Sequence, residues 1–355
     1  MTSLQNKKKM KKSTKIVLLA AGSLLAVILA VAIAAASVWY NGKLNMTQND
    51  VALTNSDATK NQDDDTIEYN GGKYKFNSNI TTALCMGIDN EKEKSGGAFV
   101  VGRAGQADAL YLIAVDTSTG KTTVIGIPRD IITDVDLYAT SGSFVGTEKT
   151  QICLAYAYGD GKTESAQNTA KSVSRLLYGM PVNSYFAVDE KSIATLHNAV
   201  GTITVIANED ITGSCVINFN KGEKIKLTGG NVFGYLQSRN NETVDASVLR
   251  LERQLDYLKK YTSAVIEKSK SDFLFPVKLY NKVVKNAVTD LDAGRVTYLA
   301  TSVLKNEEQV SLEFKQIEGE QIVGADGFAE FYPDDEKLLE LVMEVFYTKI
   351  EKSPE

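Results

Sequence analysis

Two aspartates and one arginine stand at the ends of apolar segments in the first half of the chain. Asp89 ends one apolar run, Asp108 begins another, and Arg129 follows a third that ends at Pro128. Carboxylate oxygens hold Mg²⁺ well, and a guanidinium binds the phosphate oxygens that a metal leaves free. The sequence therefore predicts a divalent metal facing a phosphate group, with Asp89 and Asp108 as metal ligands and Arg129 on the phosphate.

The elements that must position these residues follow from the apolar patterns. Strands are predicted at residues 83–88, 109–115, 122–127, 184–188 and 202–205. Helices are predicted at residues 163–177, 190–200, 246–268, 276–288, 290–304 and 335–348. Thr119-Gly120-Lys121 indicates a hairpin between two strands, so the sheet is partly antiparallel. Strands interleaved with helices predict an α/β fold, a three-layer α/β/α sandwich with a mixed central sheet.

An uncharged stretch at residues 16–40 is long enough to span a bilayer. Six lysines precede it, so the positive-inside rule predicts a single-pass protein of the cell membrane, with its N-terminus in the cytoplasm and its main domain outside. A cleavable signal peptide is the alternative, because Ala34-Ala35-Ala36 resembles a cleavage site. The length of the apolar stretch favours the uncleaved anchor.

Composition divides the chain into four parts. Residues 1–15 form a basic cytoplasmic tail, and residues 16–40 are the predicted transmembrane signal anchor. Residues 41–72 are polar and predict an extracellular tether. Continuous apolar periodicity predicts one catalytic or binding domain over residues 73–352.

Charge and residue counts exclude several functions. After Tyr40, 33 Lys and Arg face 44 Asp and Glu, a net charge of about −11, which argues against a nucleic-acid partner. Three distant cysteines without a CxxC motif predict no disulfide framework. The chain has one histidine, His197, which argues against a histidine triad or a multi-histidine zinc site. It falls in a predicted helix, and we interpret it as structural.

Later arginines extend the predicted anion site. Arg250 and Gln254 are four residues apart in the helix predicted at 246–268, so they share one helical face. Arg239 ends a short apolar segment just before that helix. Arg129, Arg239 and Arg250 are therefore expected to converge on one anion.

The order of these parts resembles the LytR-CpsA-Psr (LCP) family of cell-envelope proteins. The resemblance covers essentially the whole chain after the tether. It rests on Gly87-Ile88-Asp89, Asp108, Ile127-Pro128-Arg129-Asp130, Tyr156-Ala157-Tyr158-Gly159 and Arg250-Leu251-Glu252-Arg253-Gln254, in this order behind a membrane anchor.

The resemblance implies transfer of a phosphoglycan from a polyprenyl-pyrophosphate carrier to a peptidoglycan acceptor, outside a Gram-positive type of cell. It implies that Asp89 and Asp108 hold Mg²⁺, that the three arginines bind the pyrophosphate, and that Gln254 supports them by hydrogen bonding. Asp108 or Asp89 would serve as the base for the acceptor hydroxyl. The lipid tail would need an apolar tunnel, and the sequence fits a packed core equally well.

Two departures from the family pattern bear on activity. Gln106 and Gln237 stand where the family usually has arginines, although Arg103 lies close enough to Gln106 to substitute for it at the pyrophosphate. Two lost arginines would cost several kcal/mol of phosphate binding, at about 1.5 to 3 kcal/mol for each bond. A non-catalytic polyprenyl-pyrophosphate-binding or scaffold protein is therefore the alternative to a transferase. Hydrolysis of the pyrophosphate is a third possibility.

Overall fold

The computed structural model describes residues 36–46, 59–60, 66–89, 105–212, 217–240, 243–305 and 310–350. Its strands are β1 (Thr59–Lys60), β2 (Thr66–Tyr69), β3 (Gly72–Phe76), β4 (Ile80–Asp89), β5 (Gln106–Asp116), β6 (Thr122–Ile127), β7 (Ile132–Tyr138), β8 (Phe144–Gln151), β9 (Ser184–Asp189), β10 (Ile203–Ile206), β11 (Lys224–Leu227), β12 (Val288–Thr289), β13 (Leu312–Gln316), β14 (Gly319–Val323), β15 (Ala329–Pro333) and β16 (Tyr347–Lys349). Its helices are α1 (residues 36–46), α2 (Thr163–Leu176), α3 (Glu190–Val200), α4 (Val232–Gln237), α5 (Ala246–Ser271), α6 (Phe275–Val283), α7 (Ala293–Val303) and α8 (Asp335–Phe346).

A six-stranded sheet in the order β12-β9-β4-β5-β6-β13 forms the centre of the fold. The pairs β4–β9 and β6–β13 are parallel, whereas β4–β5, β5–β6 and β9–β12 are antiparallel. The turn between β5 and β6 is the hairpin expected at Thr119-Gly120-Lys121. The α/β fold with a mixed central sheet, predicted from the sequence, is confirmed.

One face of the sheet is closely packed. Apolar side chains of β4 and β5 alternate toward α2 and α8, and Leu84, Leu110 and Leu112 are fully buried there. The α8 residues Val342 and Phe346 complete this core. Every second side chain of these strands is apolar and packs against the apolar faces of α2 and α8.

The opposite face is covered by α3, α5, α6 and α7, but it is packed less tightly. Six inward side chains of β4, β5 and β9 on this face remain partly accessible, although Ala83, Val115 and Ser184 on the same face are buried. We call this space the apolar gap, which is lined by Cys85, Ala109, Tyr111, Ile113, Phe186 and Val188. Helices on both faces give the three layers expected from the sequence.

A second core lies beside the sheet. The strand predicted at 202–205 pairs with β11 as the hairpin β10–β11 and not with the central sheet. This hairpin packs with α4 and part of α5 around buried Phe219 and Tyr235. His197 is buried here, with one ring nitrogen 2.9 Å from the Tyr257 hydroxyl and the other 3.0 Å from the Leu227 carbonyl, so it is structural.

The segment before the domain is more structured than a tether predicts. Residues 36–46 form α1, whose Gly42 and Met46 are buried, and Thr66–Tyr69 forms β2 between β1 and β3. Most of the predicted anchor, residues 16–35, lies outside the described residues. Within the part of the chain that the structure describes, no helix is both long and apolar enough to cross a membrane.

Candidate active site

Asp108 occupies a β-bulge at the end of the pairing between β4 and β5. Gly87 pairs with Ala109 and Ile88 pairs with Ala107, so Asp108 is the extra residue on β5. A bulge bends the strand and redirects a side chain, and bulges are frequent beside active sites. Asp108 and Asp89 line the same cleft at this end of the two strands.

The neighbouring turn requires a glycine. Gly105 has φ +94°, and a Cβ atom there would lie 2.4 Å from the backbone oxygen of Asp89. Glycine adopts this left-handed conformation without steric cost. Gly105 thus lets the start of β5 run against Asp89, which pairs with Gln106 across the two strands.

The guanidinium of Arg129 is held by groups of the chain itself. Its Nη1 forms an ion pair with Asp108, and its Nη2 donates to Gln106 Oε1 at 2.6 Å. Its Nε donates to Asp130 at 3.2 Å, and Cys153 Sγ lies 3.5 Å from Nη2. Burial would lower the pKa of Arg129, but the contacts with Cys153 and the two carboxylates raise it, so the side chain stays charged.

Arg250 is the second cation of the site. It is 4% exposed, and its Nη2 lies 3.4 Å from the backbone oxygen of Asp108. Burial lowers the pKa of Arg250, and the charges of Arg129 and Arg239 lower it further, while Asp108 raises it. Arg129 and Arg239 are therefore near enough to Arg250 to act on its charge, and the convergence of the three on one anion stays a prediction.

Gln254 has a different environment from the one expected. Its Oε1 accepts a hydrogen bond from the Tyr111 hydroxyl at 2.8 Å, and its Nε2 donates to the Leu236 carbonyl at 3.0 Å. Both ends of the amide are engaged, so Gln254 joins β5, α5 and α4 at the edge of the site. The second N–H of Nε2 is the donor left for the predicted bond to a pyrophosphate.

A small cleft of about 70 Å³ brings the predicted residues together. Asp89, Asp108, Arg250 and Gln254 line it. This volume admits only a few water molecules, so a pyrophosphate would have to widen the cleft.

The donors in this cleft are compatible with Mg²⁺. Among the described residues, no three His, Cys, Asp or Glu side chains are grouped to hold a metal by themselves. Mg²⁺ is commonly bound by one or two carboxylates together with substrate phosphates and water. Asp89 and Asp108, on adjacent strands, fit that pattern as a pair.

The remaining predicted residues lie at the edge of the site or outside the described chain. Arg239 is exposed after α4, and Gln237 is exposed and lines the cleft. Arg103 lies outside the described residues. The binding and catalytic roles of all these residues stay predictions.

The sequence reading missed Tyr111 and Asp189. Tyr111 follows Ala109 at a spacing of two, which places it on the same face of the sheet, and its hydroxyl reaches Gln254. Asp189 ends β9, the parallel neighbour of β4, and lines the cleft. The position of Asp189 at the carboxyl end of a predicted strand was the available signal.

Arg253 belongs to the fold and not to the site. It is 1% exposed, forms an ion pair with Glu209 and donates to the backbone oxygens of Tyr235 and Ser238. Its guanidinium also lies 5.6 Å from the Phe219 ring centroid. Within the motif Arg250-Leu251-Glu252-Arg253-Gln254, Arg250 therefore faces the cleft, whereas Arg253 supports the second core.

The sequence model of the LytR_cpsA_psr family matches residues 40–345. The chain belongs to this family. Over 162 residues it is 27% identical to the polyisoprenyl-teichoic acid–peptidoglycan teichoic acid transferase TagU of Bacillus licheniformis. That alignment covers 45% of this chain and 44% of the relative, so the chain is matched to less than half of that protein.

Solved structures show the same fold for this LCP chain. TagV of B. subtilis has a TM-score of 0.55 at 23% identity, covering 75% of this chain and 96% of that one. TagT bound to LI-WTA has a TM-score of 0.52 at 21% identity, covering 84% of this chain and 98% of that one. At these identities the likeness establishes the α/β fold alone.

Proposed function

We propose that the protein transfers a phosphoglycan from a polyprenyl-pyrophosphate carrier to peptidoglycan. The observation that carries this proposal is a cleft that brings carboxylates and the guanidinium of Arg250 together at one end of an apolar gap. Arg250 and Asp108 line the cleft, and Ala109 and Val188 line both the cleft and the gap. The TagU relative acts on a polyisoprenyl-linked teichoic acid and on peptidoglycan by its name, which supports the same classes of substrate here.

The apolar gap suits a lipid chain. Cys85 and Phe186 on its wall are partly accessible although they lie on strands inside the central sheet. A well-packed interior leaves few voids, and the other face of the same strands follows that rule. The polyprenyl chain of the carrier would therefore bind in the apolar gap, on the less tightly packed face of the sheet.

The chemistry follows from the charges around the cleft. The acceptor hydroxyl forms a new P–O bond to the phosphorus next to the glycan, and the bond from that phosphorus to the lipid phosphate breaks. The hydroxyl proton passes to Asp89 or Asp108, and the lipid monophosphate leaves. Arg129 and Arg250 stabilise the negative charge that develops on the leaving phosphate.

Magnesium and membrane attachment complete the proposal. Mg²⁺ bound by Asp89 and Asp108 would neutralise part of the pyrophosphate charge. Residues 16–40 would anchor the chain in the cell membrane, with the N-terminus in the cytoplasm and the domain outside. This arrangement keeps the site where a lipid-linked glycan is present.

The test is release of lipid monophosphate from a short-chain prenyl-pyrophosphate glycan by the full chain in detergent, with a peptidoglycan fragment as acceptor. We expect release that requires Mg²⁺ and is lost in Asp108→Ala and Arg129→Ala. Arg175→Ala is the matched control, because its guanidinium binds Asp136 outside the cleft. No release and no binding of the carrier by the unmodified chain would refute the proposal.

A second candidate, a carrier-binding protein without turnover, is favoured by the contact of Gln106 with Arg129. The amide takes one guanidinium donor and supplies no positive charge. Restoring arginine at positions 106 and 237 separates the two functions. A large gain of turnover would mark a weakened transferase, whereas carrier binding with no turnover in either form would support the binding protein.

A further inference from the structure

The segment around the end of α5 differs in charge from the rest of the chain. Residues 256–286 contain seven lysines and three acidic residues, a net charge of about +4. The part of the chain after Tyr40 carries about −11. This segment is therefore a basic region in an acidic protein.

Two large apolar side chains are exposed within this region. Phe273 is 56% exposed and Leu274 is 53% exposed, both in the short loop between α5 and α6. The ammonium of Lys268 lies 5.7 Å from the ring centroid of Phe275 at the start of α6. We call this the basic loop surface, which consists of Lys268, Lys270, Phe273, Leu274, Lys278 and Lys282, all exposed.

Another exposed aromatic loop has the opposite surroundings. Phe328, 65% exposed, lies at the turn of the β14–β15 hairpin. Its neighbours there include Asp326, whose side chain accepts from the Phe328 backbone N–H, and Glu330. Lys270 and Lys278 form ion pairs with Glu267 and Asp272, so only the excess of lysines over carboxylates distinguishes the surroundings of Phe273 from those of Phe328.

The position of the basic loop surface connects it to the N-terminal helix. The loop leads into α6, and α6 packs against α7. Helix α7 in turn contacts α1. The contact between α1 and α7 is close, because a Cβ atom on Gly42 would lie 2.3 Å from the Gly294 carbonyl oxygen. Trp39 also donates to Thr301 at 3.0 Å. One helix, α7, thus lies between the described end of the predicted anchor and the α6 part of the basic loop surface.

The same helices cover the apolar gap. Tyr280 of α6 packs against Phe186 on the gap wall, with ring centroids 6.2 Å apart. A membrane touching the basic loop surface would therefore lie against the outer side of the elements that close the gap.

We propose that the basic loop surface is a contact site for an anionic membrane. Lysines attract anionic lipid headgroups, and an aromatic and an aliphatic side chain between them can enter the interface, a combination that soluble anionic polymers would not require. The functional role of this contact depends on the proposed function, because the lipid carrier would reach the cleft from that membrane. The contact itself can be measured without any turnover.

The experiment uses the full chain, reconstituted into vesicles that contain nitroxide-labelled lipid. Trp39 is the one tryptophan, so Trp39→Phe gives a dark background for Phe273→Trp and, as matched control, Phe328→Trp. With phosphatidylglycerol vesicles we expect quenching at position 273 about threefold greater than at position 328. Lys268→Glu with Lys282→Glu should remove this difference, whereas Lys149→Glu with Lys224→Glu, two exposed lysines elsewhere, should not.

Three results would overturn the proposal. Equal quenching at positions 273 and 328 would show that the loop makes no preferential contact. Equal quenching in phosphatidylglycerol and phosphatidylcholine would show that the lysines do not recognise anionic lipid. Absence of quenching at position 273, together with lysine-dependent binding of soluble poly(glycerol phosphate), would assign the surface to a polymer. Loss of transfer activity with quenching intact would count against the proposed function alone.

Discussion

Replacing Gln106 with arginine tests how the site holds Arg129. In the unmodified chain Gln106 Oε1 accepts from Arg129 Nη2 at 2.6 Å. Gln106→Arg removes that acceptor and places a second guanidinium beside the first. With no anion bound, the variant should therefore be less stable than the unmodified chain.

The size of the effect follows from two contributions. Loss of a hydrogen bond to a charged group costs about 1.5 to 3 kcal/mol. Two unit charges 4 Å apart repel by roughly 4 kcal/mol at an effective dielectric constant of 20, and less as the longer side chain turns toward solvent. A decrease of about 2 to 4 kcal/mol in the free energy of unfolding is expected, which lowers the Tm by about 3 to 7 °C in a domain of this size.

Pyrophosphate should reverse this effect. An anion between the two guanidinium groups turns repulsion into charge-assisted bonding, worth about 1.5 to 3 kcal/mol for each added bond. Thermal unfolding with and without inorganic pyrophosphate and Mg²⁺ measures both effects. The upward shift of Tm on adding pyrophosphate should be larger for Gln106→Arg than for the unmodified chain.

Gln237→Arg is the matched control. Gln237 lines the same cleft but is exposed at the end of α4, so the added charge is solvated. Its stability without pyrophosphate should stay within about 0.5 kcal/mol of the unmodified chain. If Gln106→Arg has an unchanged Tm and an unchanged response to pyrophosphate, the inferred contact between Gln106 and Arg129 is refuted.

Three further predictions concern the supporting structure. Arg253→Met leaves buried Glu209 without its cation and should lower the free energy of unfolding by about 3 to 5 kcal/mol, measured in urea. Burial would raise the pKa of Asp136, but its bonds to two cations and a hydroxyl lower it, so its stabilisation is complete above about pH 4 and is lost as the pH falls toward the depressed pKa. Asp136→Asn should therefore cost about 2 kcal/mol at pH 7 and progressively less below pH 4, in urea titrations at each pH. Gly42→Leu should detach α1 from α7 and shift the emission of Trp39 to longer wavelength; unchanged emission would contradict the contact.

The elements that the sequence predicted well are those with strong local signals. β6 and α3 have the predicted bounds, Thr122–Ile127 and Glu190–Val200. Every residue of β6 is buried, and Asp189 caps α3 by accepting from the Ser192 backbone N–H. Apolar continuity and a capping residue are both visible in the sequence.

The elements that it missed depend on distant or solvent-exposed partners. β8 in the β7–β8 hairpin is largely exposed, so no apolar alternation marks it. β13 is held by parallel pairing with β6, nearly two hundred residues earlier. The helix predicted at 276–288 ends at Val283, because β12 at Val288–Thr289 pairs with β9. None of these pairings has a local signature.

The sequence predicted which residues lie together in the cleft, but it did not predict what their side chains contact. Strand ends identified Asp89 and Asp108, but the bulge that displaces Asp108 depends on the register between β4 and β5. Arg250 and Gln254 share a helical face as expected, yet Gln254 is occupied by Tyr111 and Leu236. Spacing along a helix defines a face and leaves open what each side chain on that face contacts.

The contacts of Arg129 bear on how the cleft would operate. Asp108, Gln106 and Asp130 already satisfy much of its hydrogen-bonding capacity, and the cleft beside it has room for only a few waters. Under the proposed function, an incoming pyrophosphate would compete with acceptors of the chain itself, so its binding would cost more than the number of arginines suggests. Gln106 is the weakest of these competitors because it is uncharged, and its amide can turn to donate to a phosphate oxygen. An arginine there would repel Arg129 in the absence of an anion. Under the proposed function, glutamine would therefore weaken pyrophosphate binding but leave the cleft stable without pyrophosphate.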